Sequence, residues 1–195
     1  TTVFCYAAPE TMLSLVLRKE VGSYLGVPAF NAGGFTDSKE IDQQATLEVA
    51  NSLNYAALAG GNLVHDVGYL ESGMTSSLEL LTIANEEISM INRFIQSTQI
   101  NEETLGVDEI DDVGIGGNYL TSPQTVKKFK EDIWSPELID RQVHESWEED
   151  GSTTLRERAR EKVHDILENH EPEQLPYDVS DELTDIVDEY EKKRA

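Results

Sequence analysis

The sequence predicts an α/β protein whose first half is built of strand–helix units and whose second half is helical. Up to about residue 100, short β-branched or apolar runs alternate three times with long amphipathic patterns; beyond it the alternation stops and only helix signals recur. Charge divides the same way. Residues 1–100 carry 11 Asp and Glu against 4 Lys and Arg, a balance of −7, which leaves −16 of the total −23 for residues 101–195. The first half therefore has the composition of a core and the second that of a solvated exterior.

The first run, Thr1 to Tyr6, reads as a strand and contains the single cysteine, Cys5, expected to be a buried strand residue. After a turn at Ala7-Ala8-Pro9-Glu10, Pro9 suits a first helical position. Met12, Leu13, Val16, Leu17, Val21, Tyr24 and Leu25 then fall on one face with three- and four-residue spacing, and Gly26 and Pro28 close the helix. Val27 to Ala32 supplies the second strand. The loop Gly33-Gly34-Phe35-Thr36-Asp37-Ser38-Lys39 follows, and a second helix is expected from Ser38 to Gly60-Gly61, with Ile41, Ala45, Val49, Leu53 and Ala56 on its core face.

A third cycle begins at Asn62. Leu63 to Val67 reads as a strand and Gly68 to Gly73 as its loop. Ser76 with Glu79 reads as the capping box of a helix bearing Leu80, Ile83, Ala84, Ile88 and Ile91. Strands alternating with helices imply parallel pairing through right-handed crossovers, which puts all three post-strand loops on one face. Three units cannot close an eight-stranded barrel, and an open edge would expose backbone donors and acceptors, so the chain is expected to be a fragment.

In the second half, Ser122-Pro123, Ser135-Pro136, Ser152-Thr153 and Ser180 each resemble helix starts. Leu155, Ala159, Val163, Ile166 and Leu167 form a stripe on the third of these, and Leu183, Ile186, Val187 and Tyr190 mark a last helix that ends in Lys192-Lys193-Arg194. Gly114 to Gly117 lacks a strand-to-helix context and reads as a turn. Trp134 and Trp147 read as anchors for these helices.

The net charge and a pI near 4.3 argue against unassisted binding to nucleic acid or an anionic membrane. No apolar run is long enough to cross a membrane, no targeting signal is visible, and one cysteine fits a reducing cytoplasm. No tight His/Cys pattern supports a metal site. A salt-adapted host and a local acidic surface would both explain the acidity.

The glycine loop is where chemistry is expected. Gly33 and Gly34 allow close approach of backbone to a ligand, Phe35 adds an aromatic face, and Asp37 adds a carboxylate. Asp37 with Glu40 also fits an ordinary capping box. His65, at a strand end, is either a functional residue or a hydrogen-bonded core histidine. Tyr69 and Glu71 lie in the next post-strand loop.

Several segments, in this order, resemble the trimethylamine:corrinoid methyltransferase family: Ala8-Pro9-Glu10, Gly33 to Lys39, Ala57 to Leu63 leading to His65, Gly114 to Leu120, and Trp147 to Gly151 with the helix after it. The resemblance matches the C-terminal part of that family's longer chains. It implies the C-terminal portion of a (β/α)8 TIM barrel, residues 1–100, with a helical extension, residues 101–195. The implied activity takes a methyl group from a methylated amine to the cobalt of a corrinoid on a separate partner protein, with no cofactor bound covalently. Trimethylamine enzymes carry pyrrolysine in this loop where Phe35 or a direct neighbour stands here, so the chain is closest to the members lacking it, similar to glycine betaine methyltransferases.

The expected catalytic residues are His65, Glu71 and Asp37, with Phe35, Gly33, Gly34 and Tyr69 binding substrate and all converging on one mouth. A non-catalytic, barrel-derived binding module is the alternative. Homo-oligomerisation is left open.

Overall fold

The computed structural model describes residues 6–194, so the expected first strand up to Cys5 lies outside the described residues, and Tyr6 sits in a turn. By its packing the chain falls into two units, Thr1–Val163 and His164–Ala195.

In the first unit, α1 (Pro9–Leu25) opens with Pro9 at its start and closes at Gly26, whose φ of 68° lets its N–H reach Gly22 O and Ser23 O. Strand β1 (Phe30–Ala32) pairs in parallel with β2 (Leu63–His65), in the register Phe30 to Leu63, Asn31 to Val64 and Ala32 to His65. Between them runs α2 (Gln43–Leu58), and α3 (Leu78–Ile95) follows β2. Both expected strands in the described region are thus present and parallel, each shorter than the apolar run that signals it.

The cap of α2 differs from expectation. The helix starts at Gln43 rather than Ser38 because Asp42 accepts from Ala45 N at 2.9 Å, while Ser38 Oγ donates to Asp42 Oδ1 at 3.0 Å. Likewise α3 is capped by Ser77, not Ser76: Ser77 Oγ accepts from Leu80 N at 3.3 Å and donates to Glu79. Both caps have a physical consequence, since the Ala45 N–H and the Ser77 hydroxyl respectively are the leading causes that hold the Asp42 and Glu79 carboxyls below the usual carboxylate range.

Helices α2 and α3 pack on each other through Ala45, Val49, Leu53, Leu80, Ala84 and Ile91, with Leu70 from the loop after β2, and this is the largest apolar cluster. Helix α1 differs. Leu13, Leu17, Val21, Tyr24 and Leu25 are exposed, and Met12, Leu15 and Gly22 are the buried positions. Apolar residues surround α1 on more than one side, so spacing alone could not select the packed face. Close approach did: a Cβ on Gly22 would lie 3.1 Å from Val27 O and 3.4 Å from Ala29 Cβ.

The loop after β2 contains a small antiparallel hairpin, β3 (Tyr69–Leu70) and β4 (Thr75–Ser76), joined by a 3-10 turn over Glu71–Gly73. It lies within the loop and leaves the parallel pair intact.

Beyond residue 100 all regular elements among the described residues are helices: α4 (Glu102–Leu105), α5 (Val107–Val113), α6 (Pro123–Asp132), α7 (His144–Glu149), α8 (Leu155–Asn169) and α9 (Tyr177–Arg194). Ser122 caps α6 as expected. No helix follows Ser135-Pro136. There the N–H groups of Glu137, Leu138 and Ile139 all donate to Glu86 Oε1, at 2.9, 2.9 and 3.1 Å, and the segment is strapped to α3. Trp134 Nε1 donates to Ser89 Oγ and Trp147 Nε1 to Thr153 O, so both indoles anchor the helical region. In the second unit every described residue is exposed. No helix among the described residues is long and apolar enough to cross a membrane.

Candidate functional site

The parallel ladder continues past β1 through Gly33 N, which donates to His65 O at 3.0 Å. Gly34 then takes φ +79°, its N–H donates to Ser52 Oγ at 2.9 Å, and its carbonyl accepts from Gly68 N at 2.8 Å. A Cβ on Gly33 would meet Ser52 O and Val64 Cγ1 at 3.2 Å, and one on Gly34 would meet Val67 Cγ1 at 3.0 Å. The two glycines thus let the loop close on α2 and on the loop after β2.

Phe35 is fully buried with Met12, Leu15 and Ala32, and the Tyr6 ring stands edge-on to it at 5.1 Å. Its backbone bridges to Tyr69, and Thr36 N donates to Tyr69 O at 3.0 Å. Beneath, Glu48 Oε2 accepts from Thr36 Oγ1 at 2.6 Å and from Asp37 N at 2.8 Å, fixing the loop to α2. The Asp37 carboxylate faces the other way. Oδ2 accepts from Ala7 N at 3.2 Å and Oδ1 from Ser72 Oγ at 2.5 Å, so one side chain ties together three loops.

These contacts enclose a cavity of about 180 Å³ lined by Tyr6, Phe35, Asp66, Tyr69, Ser72 and Gly73. Phe35 is fully buried and backs it from the core, while Tyr6 and Tyr69 are 42% and 37% exposed. Backbone strain collects here. Of the four non-glycine residues with positive φ among those described, three are Asp66 at 71°, Glu71 at 52° and Ser72 at 55°.

Of the residues singled out in the sequence, Phe35 and Tyr69 line the cavity, and Asp37 reaches it through Ser72. His65 lies beside it: Nδ1 is 2.8 Å from Asp66 Oδ1, and the ring packs at 4.5 Å on Phe30. Glu71 is exposed next to Ser72, its N–H donating to Ser38 O. Gly33 and Gly34 support the walls without lining them. Tyr6, Asp66, Ser72 and Glu48 had no sequence motif of their own. Asp66 could have been noticed as the carboxylate adjoining His65 at a strand end.

Among the described residues no cationic side chain lines the cavity, while Asp66 does. Aromatic faces with a carboxylate suit a small organic cation. Among the described residues no group of three or more His, Cys, Asp or Glu could hold a metal ion. A larger hollow of about 420 Å³ lies among α4, α5 and α6, but its lining of Glu102, Glu103, Asp108, Glu109 and Asp112 has no aromatic face.

Comparison with known proteins adds a lineage. A family model described as trimethylamine methyltransferase (MTTB) matches residues 4–195. The chain is 36% identical over 185 residues to the trimethylamine methyltransferase MttB of Methanosarcina barkeri, covering 95% of this chain and 37% of that protein. It is 36% identical over 172 residues to MttB of Desulfitobacterium hafniense strain DCB-2, covering 88% and 34%. To the glycine betaine methyltransferase of D. hafniense strain Y51 it is 30% identical over 181 residues, covering 92% and 38%. The chain thus spans little more than a third of the length of these relatives.

Proposed function

The chain belongs to the trimethylamine methyltransferase family, and from that premise we propose that the protein removes a methyl group from a methylated amine, quaternary in preference to tertiary, and delivers it to a corrinoid carried by a separate protein. Residues 1–100 are then the last β/α units of a TIM barrel and residues 101–195 a helical extension, with β1 and β2 adjacent in the barrel wall. The observation that carries the reading is the cavity after these strands, lined by Tyr6, Tyr69 and Asp66 and backed by the buried Phe35.

The chemistry favours a quaternary donor. The C–N bond must break with its electron pair passing to nitrogen. From a neutral tertiary amine the leaving group would be an amide anion, whereas a quaternary ammonium leaves as a neutral amine and needs no proton. The corrinoid supplies an electron-rich cobalt as methyl acceptor. A corrin ring is too large for a cavity of about 180 Å³, which fits a cofactor brought to the mouth by a partner and only the ammonium head inside.

The protein's own contribution is positioning and exclusion of water. Tyr69 and Tyr6 face the methyl groups with Phe35 backing them from the core, Asp37 holds the loops that form the walls, Gly33 and Gly34 allow those loops to close, and His65 and Glu71 flank the site. The test uses the full-length protein with reduced cobalamin. Methylcobalamin is expected to form with glycine betaine or a related quaternary amine. If no methylated amine supports it while a protein partner still binds, the chain is a binding module instead.

A further inference from the structure

Two carboxylates stand near the cavity, and the structure separates their tasks. Both oxygens of Asp37 are engaged, with Ala7 N and Ser72 Oγ, and its side chain does not line the space. Asp66 does line it. One of its oxygens lies 2.8 Å from His65 Nδ1, and among the described residues no hydrogen bond reaches the other. We propose that Asp66 is the counter-ion that binds the substrate's ammonium head, and that Asp37 is a positioning residue for the loops. This rests on the methyl-transfer reading above and assigns the substrate class of that site as an alkylated ammonium whose other end points outward.

Three observations support the assignment. The Asp66 backbone is held at φ +71°; aspartate tolerates this region better than most residues, so the conformation alone assigns nothing, but Asp66 lines the cavity together with Tyr6 and Tyr69. Among the described residues no lysine or arginine lines the cavity to neutralise it. The volume, about 180 Å³, lies below the roughly 300–1,000 Å³ of ordinary ligand pockets and suits a compact head group. A zwitterion such as a betaine would have to keep its carboxylate at the mouth, because the same charge that attracts the head repels it.

Charge also dictates how Asp66 acts. Positive charge is present on nitrogen in the bound substrate and fades as the C–N bond breaks, so a carboxylate beside it favours the ground state over the transition state. Asp66 is therefore a binding group: it lowers KM without raising kcat.

The experiment measures tetramethylammonium binding by calorimetry and steady-state methyl transfer in the full-length protein and in Asp66→Asn. Asparagine keeps an acceptor for His65 and tolerates the same backbone region. The expected result is a dissociation constant and a KM raised at least about tenfold with kcat unchanged or higher. Asp66→Gly, which takes positive φ freely, serves as a second variant and is expected to behave alike. Unchanged affinity in both variants, or a fall in kcat at unchanged KM, overturns the assignment while leaving methyl transfer standing. A wild-type protein that forms no methylcobalamin from any methylated amine overturns the functional reading, and the assignment with it.

Discussion

Asp37 and Ser72 are joined across 35 residues by a 2.5 Å hydrogen bond, with Ser72 Oγ as donor, and the second Asp37 oxygen accepts from Ala7 N. Ser72 sits at φ +55°, so the bond holds a residue its backbone would not otherwise keep there. Replacing Asp37 by Ala is expected to cost about 1–3 kcal/mol in urea unfolding. It should also raise hydrogen exchange at Ser72, whose N–H donates to Thr36 O. Exchange at Ser72 identical to the wild type would remove the staple role.

Gly34 makes a sharper test of the loop. A β-carbon there would stand 3.0 Å from Val67 Cγ1 at a φ of +79°, so both packing and backbone resist it. Gly34→Ala is expected to lose more than about 1 kcal/mol, while Gly73→Ala, also at positive φ but with nothing within 4 Å, loses only the backbone part. Equal losses in the two would mean that packing against Val67 contributes nothing.

Glu86 is 5% exposed and accepts three consecutive backbone N–H groups from residues 137–139. Glu86→Ala strands those donors and is expected to cost about 2–3 kcal/mol or more. Glu86→Gln, which retains an oxygen acceptor, should lose less. Limited proteolysis provides the readout, with cleavage between Ile133 and Gln142 appearing first in the Ala variant.

Acid is expected to weaken the first unit through its helix caps. The Asp42 and Glu79 carboxyls are held below their ordinary values, chiefly by Ala45 N–H and by the Ser77 hydroxyl. A carboxyl lowered on folding contributes stability that is present above its unfolded value and is lost as pH falls through the folded one. Thermal midpoints measured from about pH 6 to pH 2 should fall below about pH 4, and less steeply in Asp42→Asn. A variant with the wild-type slope would exclude the Asp42 cap as a source.

His65 separates function from packing. Its ring rests on Phe30 and its Nδ1 on Asp66, half-exposed beside the cavity. His65→Ala is expected to reduce methyl transfer in the full-length protein far more than it reduces folding stability. A destabilised variant with normal turnover per folded molecule would place His65 in the scaffold.

The sequence by itself determined where α1, α2, α3 and α6 lie, the parallel relation of β1 to β2, and the family. Each of these is written in local spacing, in turn residues and glycines, or in an ordered set of short motifs, whereas the caps that start α2 and α3 are Asp42 and Ser77 rather than the expected Ser38 and Ser76. Ala45, Val49, Leu53 and Ala56 were legible as a core face because they recur at a strict helical period, although Leu47, Tyr55 and Leu58 of the same helix are exposed. Only the tertiary structure decided which face of α1 is packed, since its apolar residues lie on several sides and the choice fell to how closely Gly22 could approach the chain after it. Tertiary contacts also decided which acidic residue does what. Asp37, Asp42, Glu48 and Asp66 are alike in sequence, but one ties loops, one caps a helix, one receives the glycine loop, and one faces the cavity. The Asp42 cap is local, three residues from its partner. The Asp37 and Glu48 roles depend on partners 11 to 35 residues away and the Asp66 role on a cavity shared with Tyr6 and Phe35, and no local pattern records distances that exist only after the strands have paired.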